Sequence, residues 1–199
     1  VNLNLGHAPE YDPFIGEMAS LARWRGWALE ISPDGEMEPI AAGMRSPNGL
    51  SLNADGEMFY SAQQGGWIGS GRITHVERGD FLGHPAGLKW TDHPKSPLDL
   101  SPRDIPDSGR PIHEVAEEIP QLKVPAVWLP QSLMGISTSD IIVDTTGGRF
   151  GPFEDQLFVG DQGLSRINRV FLEKVEGSYQ GAAFPFREGF VSGVNRMEW

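Results

Sequence analysis

Residues 46–64 read SPNGLSLNADGEMFYSAQQ and predict a β-hairpin that leads into a loop. Apolar and polar residues alternate on both sides of Asp55-Gly56, and an Asp-Gly pair in that setting is the strongest short hairpin signal. The QQGGW run at 63–67 then breaks the alternation. We therefore expect two antiparallel strands, followed by a loop whose glycines allow the backbone to come close to another group.

The same pattern returns along the chain with a period of about 49 residues. EMFYSAQ around Phe59 returns as QLFVGDQ around Phe158, and RITHV at 72–76 returns as RINRV at 166–170. Four short antiparallel strands in each repeat of about 40–50 residues are typical of a β-propeller blade. An ordinary β-sandwich with coincidental turns is the alternative. The predicted strands lie at 27–31, 36–41, 49–53, 57–62, 72–76, 156–160 and 166–173.

The repeats predict an all-β propeller domain over residues 1–199, and their small number predicts that this domain is only part of a propeller. The 199 residues hold at most about four repeats, whereas propellers usually have about 4–8 blades. We therefore expect the remaining blades, or a partner chain, to cover the strand edges. A proline-rich stretch at about 91–125 predicts an irregular insert with one helical turn at 114–118. No strand is predicted before Leu21.

Composition excludes several classes of function. The net charge is −11 and no basic cluster occurs, which argues against a nucleic-acid partner. No apolar run is long enough for a membrane span, and the absence of cysteine excludes thiolate metal sites. The sequence also lacks the nucleophile elbow, the P-loop and the dinucleotide-binding fingerprint.

Three segments follow one another in a known order: MRSPNGL at 44–50, SAQQGG at 61–66 and GDFLGHP at 79–85. This order resembles the soluble quinoprotein glucose dehydrogenase and sorbosone dehydrogenase family. Members of that family are six-bladed propellers that bind pyrroloquinoline quinone and calcium and oxidise sugars or aldehydes. The resemblance implies that the chain forms about three to four four-stranded blades of a six-bladed ring. It also implies a periplasmic or secreted location.

The resemblance also implies roles for individual residues. Arg45 occupies the place of the family arginine that contacts the quinone, and Ser46 stands where the family has an asparagine. Carbonyl groups in the loop after the next strand hold calcium in the family, which suits a cation that prefers oxygen ligands. The family's catalytic histidine would fall upstream of Val1, so the catalytic base is unknown. The implied cofactor-binding residues are Arg45, Ser46, Asn48 and Trp67, and the implied metal-binding residues are Gly65 and Gly66.

Each of these residues also has a structural interpretation. Arg45 can join blade ends through backbone carbonyls, Gly65 and Gly66 can simply turn a loop, and Trp67 can pack between blades. His84 lies in Gly-His-Pro, where glucose dehydrogenases have Gly-Trp-Pro, so we expect it to pack at a blade edge.

Two functions remain open from the sequence. The first is a quinone-dependent dehydrogenase that acts on a small sugar or aldehyde. The second is a non-catalytic propeller module that binds carbohydrate or protein through loops such as 63–71 and 91–125, because a fold does not fix a function.

Overall fold

The computed structural model describes residues 4–12 and 16–199, and antiparallel β-strands dominate this part of the chain. One seven-residue α-helix lies within it, α1 at Ile112–Glu118, with 3₁₀ helices at Pro85–Trp90 and Pro102–Asp104. No helix in these two ranges is long and apolar enough to cross a membrane. The strands are β1 Gly6–Asp12, β2 Gly16–Ala19, β3 Trp27–Ile31, β4 Met37–Ala42, β5 Gly49–Leu52, β6 Met58–Ala62, β7 Gly71–His75, β8 Val127–Leu129, β9 Thr138–Val143, β10 Leu157–Asp161, β11 Arg166–Val175 and β12 Ser178–Glu188.

The described strands form two four-stranded sheets and two two-stranded sheets. The four-stranded sheets have the orders β5-β6-β7-β8 and β9-β10-β11-β12, in which each strand pairs antiparallel with the next strand in the chain. This meander is the arrangement of a propeller blade. The two-stranded sheets are β1-β2 and β3-β4. The all-β propeller-fragment class predicted from the sequence is confirmed.

The hairpin at the centre of the sequence pattern forms because its turn satisfies its own backbone. The Asn53 side-chain oxygen accepts hydrogen bonds from the backbone N–H groups of Asp55 and Glu57, at 3.1 and 2.8 Å. Gly56 follows with φ +81°, a conformation that favours glycine. Leu52 therefore pairs with Met58 in the β5-β6 register.

The chain divides into two compact units. The first comprises Val1–Ser46, Gly65–Gly69 and Val76–Val124. The second comprises Pro47–Gln64, Ser70–His75 and Pro125–Trp199. Both four-stranded sheets belong to the second unit, and the strand β8 comes only after the long segment 76–124, which belongs to the first. Within 91–125 this segment forms α1 and a short 3₁₀ helix, and no strand.

The core of the first unit is built around Trp27, which is fully buried. Its indole N–H donates to the Gly87 carbonyl at 2.6 Å. Residues 81–84 run beside the end of β4, because the backbone N–H of Leu82 donates to Ala42 and that of His84 donates to Gly43, at 2.7 and 3.0 Å. The buried residues around Trp27 include Trp24, Leu29, Ala42, Phe81, Leu88, Leu98, Ile105, Val115, Ile119 and Leu122.

The core of the second unit lies on its two four-stranded sheets. The apolar side chains that face this core are Phe59, Ile73, Ala126, Val127, Leu129, Ile141, Leu157, Val159 and Val170. At the end of β10, the fully buried carboxylate of Asp161 accepts three backbone hydrogen bonds, from Ile136, Ser137 and Leu164, at 2.9, 3.2 and 2.9 Å. The Asp161 side chain therefore holds both the loop before β9 and the turn after β10 against the end of β10.

The structure confirms all seven predicted strands to within two residues at each end. The expectation of no strand before Leu21 is wrong, because β1 and β2 form an antiparallel hairpin there. Most side chains of β1 are exposed and Pro9 interrupts it, so no apolar alternation marks this strand. The predicted helical turn at 114–118 is present as the second part of α1.

Candidate functional site

A cleft of about 320 Å³ opens on the first unit. Several elements contribute to it: the β1-β2 hairpin, the segment after β4, the loop at 65–69, the start of the first 3₁₀ helix and the proline-rich segment. Its lining residues are Tyr11, Gly16, Glu17, Met18, Arg45, Gly66, Trp67, His84, Pro85 and Asp107.

Arg45 is the cation of this cleft. It follows the turn at Gly43, and its backbone carbonyl accepts the N–H of Leu5 at 3.0 Å, which fixes the main chain at this point. The side-chain Nε is buried and has no hydrogen-bond partner within residues 4–12 and 16–199. Buried polar groups usually have a partner, although the buried Nε of Arg166 also has none among the described residues.

Gly65 and Gly66 lie against two polar side chains. A Cβ atom on Gly65 would sit 2.7 Å from Cδ and 3.5 Å from Nε of Arg45, and one on Gly66 would sit 3.9 Å from Nε2 of His84. The Gly65 N–H donates to the Ile68 carbonyl at 2.7 Å, which closes the turn. Neither glycine has a positive φ, so the close approach of the Arg45 stem is what favours glycine at 65, whereas the 3.9 Å at Gly66 is an ordinary contact.

Trp67 both packs and lines the cleft. Its indole N–H donates to the Pro106 carbonyl at 2.9 Å, and its ring centroid lies 5.9 Å from that of Phe81 in the core. The indole is half-buried, so part of the ring remains on the cleft wall. The packing interpretation and the ligand-facing interpretation are therefore compatible.

His84 is buried where the chain enters the 3₁₀ helix at Pro85–Trp90. Its Nδ1 accepts a hydrogen bond from the backbone N–H of Ala86 at 3.3 Å and so caps this helix. The packing expected from the sequence is thus accompanied by a place on the cleft wall.

The structure brings together some of the sequence-predicted site residues and not others. Arg45, Gly66 and Trp67 line the cleft, and Gly65 packs against the Arg45 stem. Ser46 is half-buried outside the cleft lining, and Asn48 is an exposed residue of the second unit. The cofactor roles of Ser46 and Asn48 stay predictions.

Sequence reasoning missed the cleft residues that come from distant parts of the chain. Tyr11 and Glu17 belong to a hairpin without apolar alternation, and Asp107 lies in the proline-rich segment. No local pattern marks these positions, because only the tertiary fold brings them to Arg45.

The cleft offers two carboxylates, Glu17 and Asp107, both exposed. Among the described residues no group of three or more histidine, aspartate or glutamate side chains could hold a metal ion. A calcium ion bound here would therefore depend on backbone carbonyl oxygens for most of its ligands.

A second polar cluster lies in the second unit and is separate from the cleft residues. His75 Nε2 is 3.2 Å from the Glu57 carboxylate, and the Tyr179 ring stacks edge-on against His75 at 4.9 Å. Lys174 is 3.5 Å from the same carboxylate. The hydrogen bond with His75, and then the charge of His75 and the contact with Lys174, hold the pKa of Glu57 below its usual value.

No protein-family model matches the chain, and no curated protein matches its sequence. Among solved structures, the chain is similar to a protein from Thermus thermophilus described as a "putative oxidoreductase (glucose dehydrogenase)", with 19% sequence identity and a TM-score of 0.47. The similarity covers 93% of this chain and 40% of that chain, so this chain spans less than half the length of its neighbour. Similarity at this level assigns no activity.

Proposed function

We propose that the cleft is the cofactor site of a quinone-dependent dehydrogenase that oxidises a sugar or an aldehyde, with pyrroloquinoline quinone as the cofactor. The observation that carries this proposal is Arg45 on the cleft wall, whose buried side-chain Nε finds no acceptor among the described residues. A guanidinium presents its N–H groups in a fixed fork that matches a carboxylate. A ligand that carries carboxylates would supply the acceptor that Arg45 lacks among the described residues.

The dimensions and composition of the cleft support this choice. Its volume of about 320 Å³ falls at the lower end of the roughly 300–1,000 Å³ typical of small-molecule sites. The indole of Trp67 offers an apolar surface to a planar ring system, and Gly66 lines the same cleft. The protein's net charge of −11 disfavours an anionic cofactor elsewhere, so a local cation is required.

We also propose that calcium binds in this cleft, mainly through backbone carbonyl oxygens. Gly65 and Gly66 are proposed to contribute carbonyl oxygens, and the carboxylates of Glu17 and Asp107 line the same cleft. Calcium takes 6–8 oxygen ligands at about 2.3–2.6 Å, carbonyls and waters included, so a site with few carboxylates is chemically reasonable. The metal would also offset the negative charge of the quinone.

The residues of this chain would then bind and orient the quinone cofactor, and would not take part in the reaction themselves. Arg45 would hold a carboxylate of the cofactor, and Trp67 would restrict the plane in which its rings lie. When bound, the quinone would supply the oxidising chemistry by accepting the hydride that the substrate loses. We assign no base for the substrate's hydroxyl proton, because the resemblance implies a histidine upstream of Val1.

The proposal extends to the setting of the protein. We propose a periplasmic or secreted location, and further propeller blades or a partner chain that cover the strand edges. The proposed partner in catalysis is a small sugar or aldehyde, and no role with nucleic acid is proposed, in keeping with the net charge of −11.

Calorimetric titration of the purified protein with pyrroloquinoline quinone, with and without calcium, tests the proposal. Arg45→Ala is expected to weaken binding by about 1.5–3 kcal/mol, or roughly 10- to 150-fold, the usual scale for a hydrogen bond to a charged group. Arg103→Ala is the matched control, because Arg103 is exposed, lies outside the cleft lining and carries the same charge. Its affinity should equal that of the wild type.

Two results would contradict the proposal. Equal losses in Arg45→Ala and Arg103→Ala would mean that only net charge matters. No binding of the quinone at millimolar concentration, with calcium present, would leave the non-catalytic binding module as the better interpretation. If chelation of calcium leaves quinone affinity unchanged, the calcium part of the proposal is wrong.

A further inference from the structure

A second cavity, of about 440 Å³, opens on the first unit. Two elements that border the cleft also border this cavity. In β2, Glu17 and Met18 line the cleft and Ala19 lines the cavity, and the first 3₁₀ helix contributes Pro85 to the cleft and Leu88 to the cavity. No described residue lines both, so the cavity is a separate space that the proposed function leaves unused.

Most of the cavity wall is apolar. Ala86 and Leu88 are buried there, and Ala19 and Pro102 are half-buried. The hydroxyl of Thr91, on the same wall, already contacts the Leu88 carbonyl at 2.8 Å. Small-molecule sites typically measure roughly 300–1,000 Å³ and combine an apolar lining with a few polar groups. The cavity therefore has the size and the walls to hold the apolar part of a small ligand.

Two groups of opposite charge, Lys89 and Asp92, also line this cavity. The helical turn continues beyond Lys89, because the N–H of Thr91 donates to the Leu88 carbonyl at 3.3 Å and Thr91 has φ −66° and ψ −26°. Side chains three residues apart eclipse one another in 3₁₀ geometry, about 6 Å apart along the axis. Lys89 and Asp92 therefore project from the same side of the turn.

Neither of these charges is paired within the protein. The side chains of Lys89 and Asp92 have no ion-pair or hydrogen-bond partner in the described ranges. The Lys89 ammonium lies 5.2 Å from the centre of the Trp90 ring, and the Trp90 indole N–H donates to the Ser20 hydroxyl oxygen at 2.7 Å. Because Ser20 lines the cavity, this chain of contacts places the ammonium close to it.

We propose that this cavity binds a small zwitterion with an apolar side chain, of the class of the free hydrophobic amino acids. Lys89 binds its carboxylate, Asp92 binds its ammonium, and the apolar wall holds its side chain. A simple carboxylate or a simple amine would leave one of the two charges unmatched. The inference goes beyond the proposed function and does not depend on it, because neither Arg45 nor the quinone takes part.

Three probes that share one phenyl group separate these contacts. L-phenylalanine carries both charges, 3-phenylpropionate lacks the ammonium, and 2-phenylethylamine lacks the carboxylate. L-phenylalanine is expected to bind about two- to fivefold more tightly than either of the other two, the scale of one exposed ion pair. Equal affinities for all three would overturn the proposal, because the charged pair would then contribute nothing to recognition. This comparison needs only the wild type, so it does not depend on the folding of a variant.

Substitutions assign each charge to its partner. Lys89→Met should weaken L-phenylalanine binding about two- to fivefold without weakening that of 2-phenylethylamine, and Asp92→Asn should do so without weakening that of 3-phenylpropionate. Arg23→Met and Asp99→Asn are the matched controls, because both residues are exposed, belong to the same unit and lie outside the cavity lining. Losses in the controls as large as those in the cavity variants would mean that only net charge matters, and would overturn the proposal.

The indole N–H signals in ¹H–¹⁵N NMR spectra report where a probe binds. Trp90 donates to Ser20 on the cavity wall, whereas Trp67 donates to Pro106 and lines the cleft. Titration with L-phenylalanine should shift the Trp90 signal, assigned by its absence in Trp90→Phe, and leave the Trp67 signal in place. A shift of the Trp67 signal alone, or no shift of either at millimolar concentration, overturns the proposal.

The proposed function and this inference fail separately. Arg45→Ala should leave the affinity for L-phenylalanine unchanged, because Arg45 lies outside the cavity lining. If the protein binds L-phenylalanine as described but does not bind pyrroloquinoline quinone, the cavity proposal stands and the proposed function fails. If it binds the quinone but shows no preference for L-phenylalanine over the other two probes, the cavity proposal is wrong and the proposed function is unaffected.

Discussion

Removal of the Asp161 carboxylate should destabilise the second unit strongly. The carboxylate is fully buried and accepts backbone N–H groups from Ile136, Ser137 and Leu164. A donor left without a partner costs about 1–3 kcal/mol, and these three residues are half-buried, so each loss should fall near the lower end. Asp161→Ala should therefore lower the free energy of unfolding by about 3–4 kcal/mol.

Asp161→Asn removes only part of this network. The amide oxygen can take the place of Oδ1 and accept from Ser137 and Leu164, whereas the amide NH₂ would face the N–H of Ile136. One hydrogen bond is lost and two donors are brought together, so we expect a cost of about 2 kcal/mol. Asp155→Asn is the control, because Asp155 is exposed and has φ +64°, a conformation that asparagine tolerates.

Urea denaturation followed by tryptophan fluorescence measures these differences. With a slope of about 2 kcal/mol per molar urea, Asp161→Ala should lower the midpoint by roughly 1.5–2 M and Asp161→Asn by about 1 M. Asp155→Asn should stay within about 0.5 kcal/mol of the wild type. A cost below about 1.5 kcal/mol for Asp161→Ala would refute the reasoning, because it would mean that water replaces the carboxylate at all three donors.

Two further predictions concern the cleft and the polar cluster of the second unit. Gly65→Ala should displace the Arg45 side chain, because the new Cβ would lie 2.7 Å from Cδ of Arg45. Quinone binding should then weaken at least several-fold. An unchanged affinity in calorimetry would contradict this prediction. The pKa of Glu57 is lowered by its hydrogen bond with His75, so its contribution to stability is present above the ordinary value of 4.5 and is lost as pH falls through the lowered pKa. Urea midpoints between about pH 3 and 7 should therefore fall less steeply in Glu57→Gln than in the wild type, whereas the exposed Glu154→Gln should follow the wild type.

The parts of the fold that sequence predicts are those whose cause is local. The β5-β6 hairpin follows from Asn53, which supports the turn, and from Gly56, which adopts its positive φ. β8 was not predicted because it has three residues and pairs with β7 across a long intervening segment. β1 was missed because its mostly exposed side chains give no apolar alternation.

The residues of the candidate site also fall into those that local sequence predicts and those that only the tertiary structure shows. Arg45 and the glycines at 65 and 66 were found because they stand in recognisable segments, and the fold brings Gly65 into contact with Arg45. His84 was expected to pack, and no sequence pattern reveals its place on the cleft wall or the hydrogen bond between its N–H and Gly43. Tyr11 and Asp107 reach the cleft only through tertiary structure.

The division of the chain has a consequence for any attempt to dissect the protein. The polypeptide passes from one unit to the other at five points, after Ser46, Gln64, Gly69, His75 and Val124. Neither unit is thus a continuous stretch of sequence, and no single cleavage or truncation can release one intact. A gene fragment that ends at Val124 would lack β8 and the whole β9–β12 sheet, and one that begins at Pro125 would lack β5, β6 and β7. The two units must therefore be expressed and engineered as one piece, and insertions are better directed to exposed turns such as the one at Gly35 than to the crossing points.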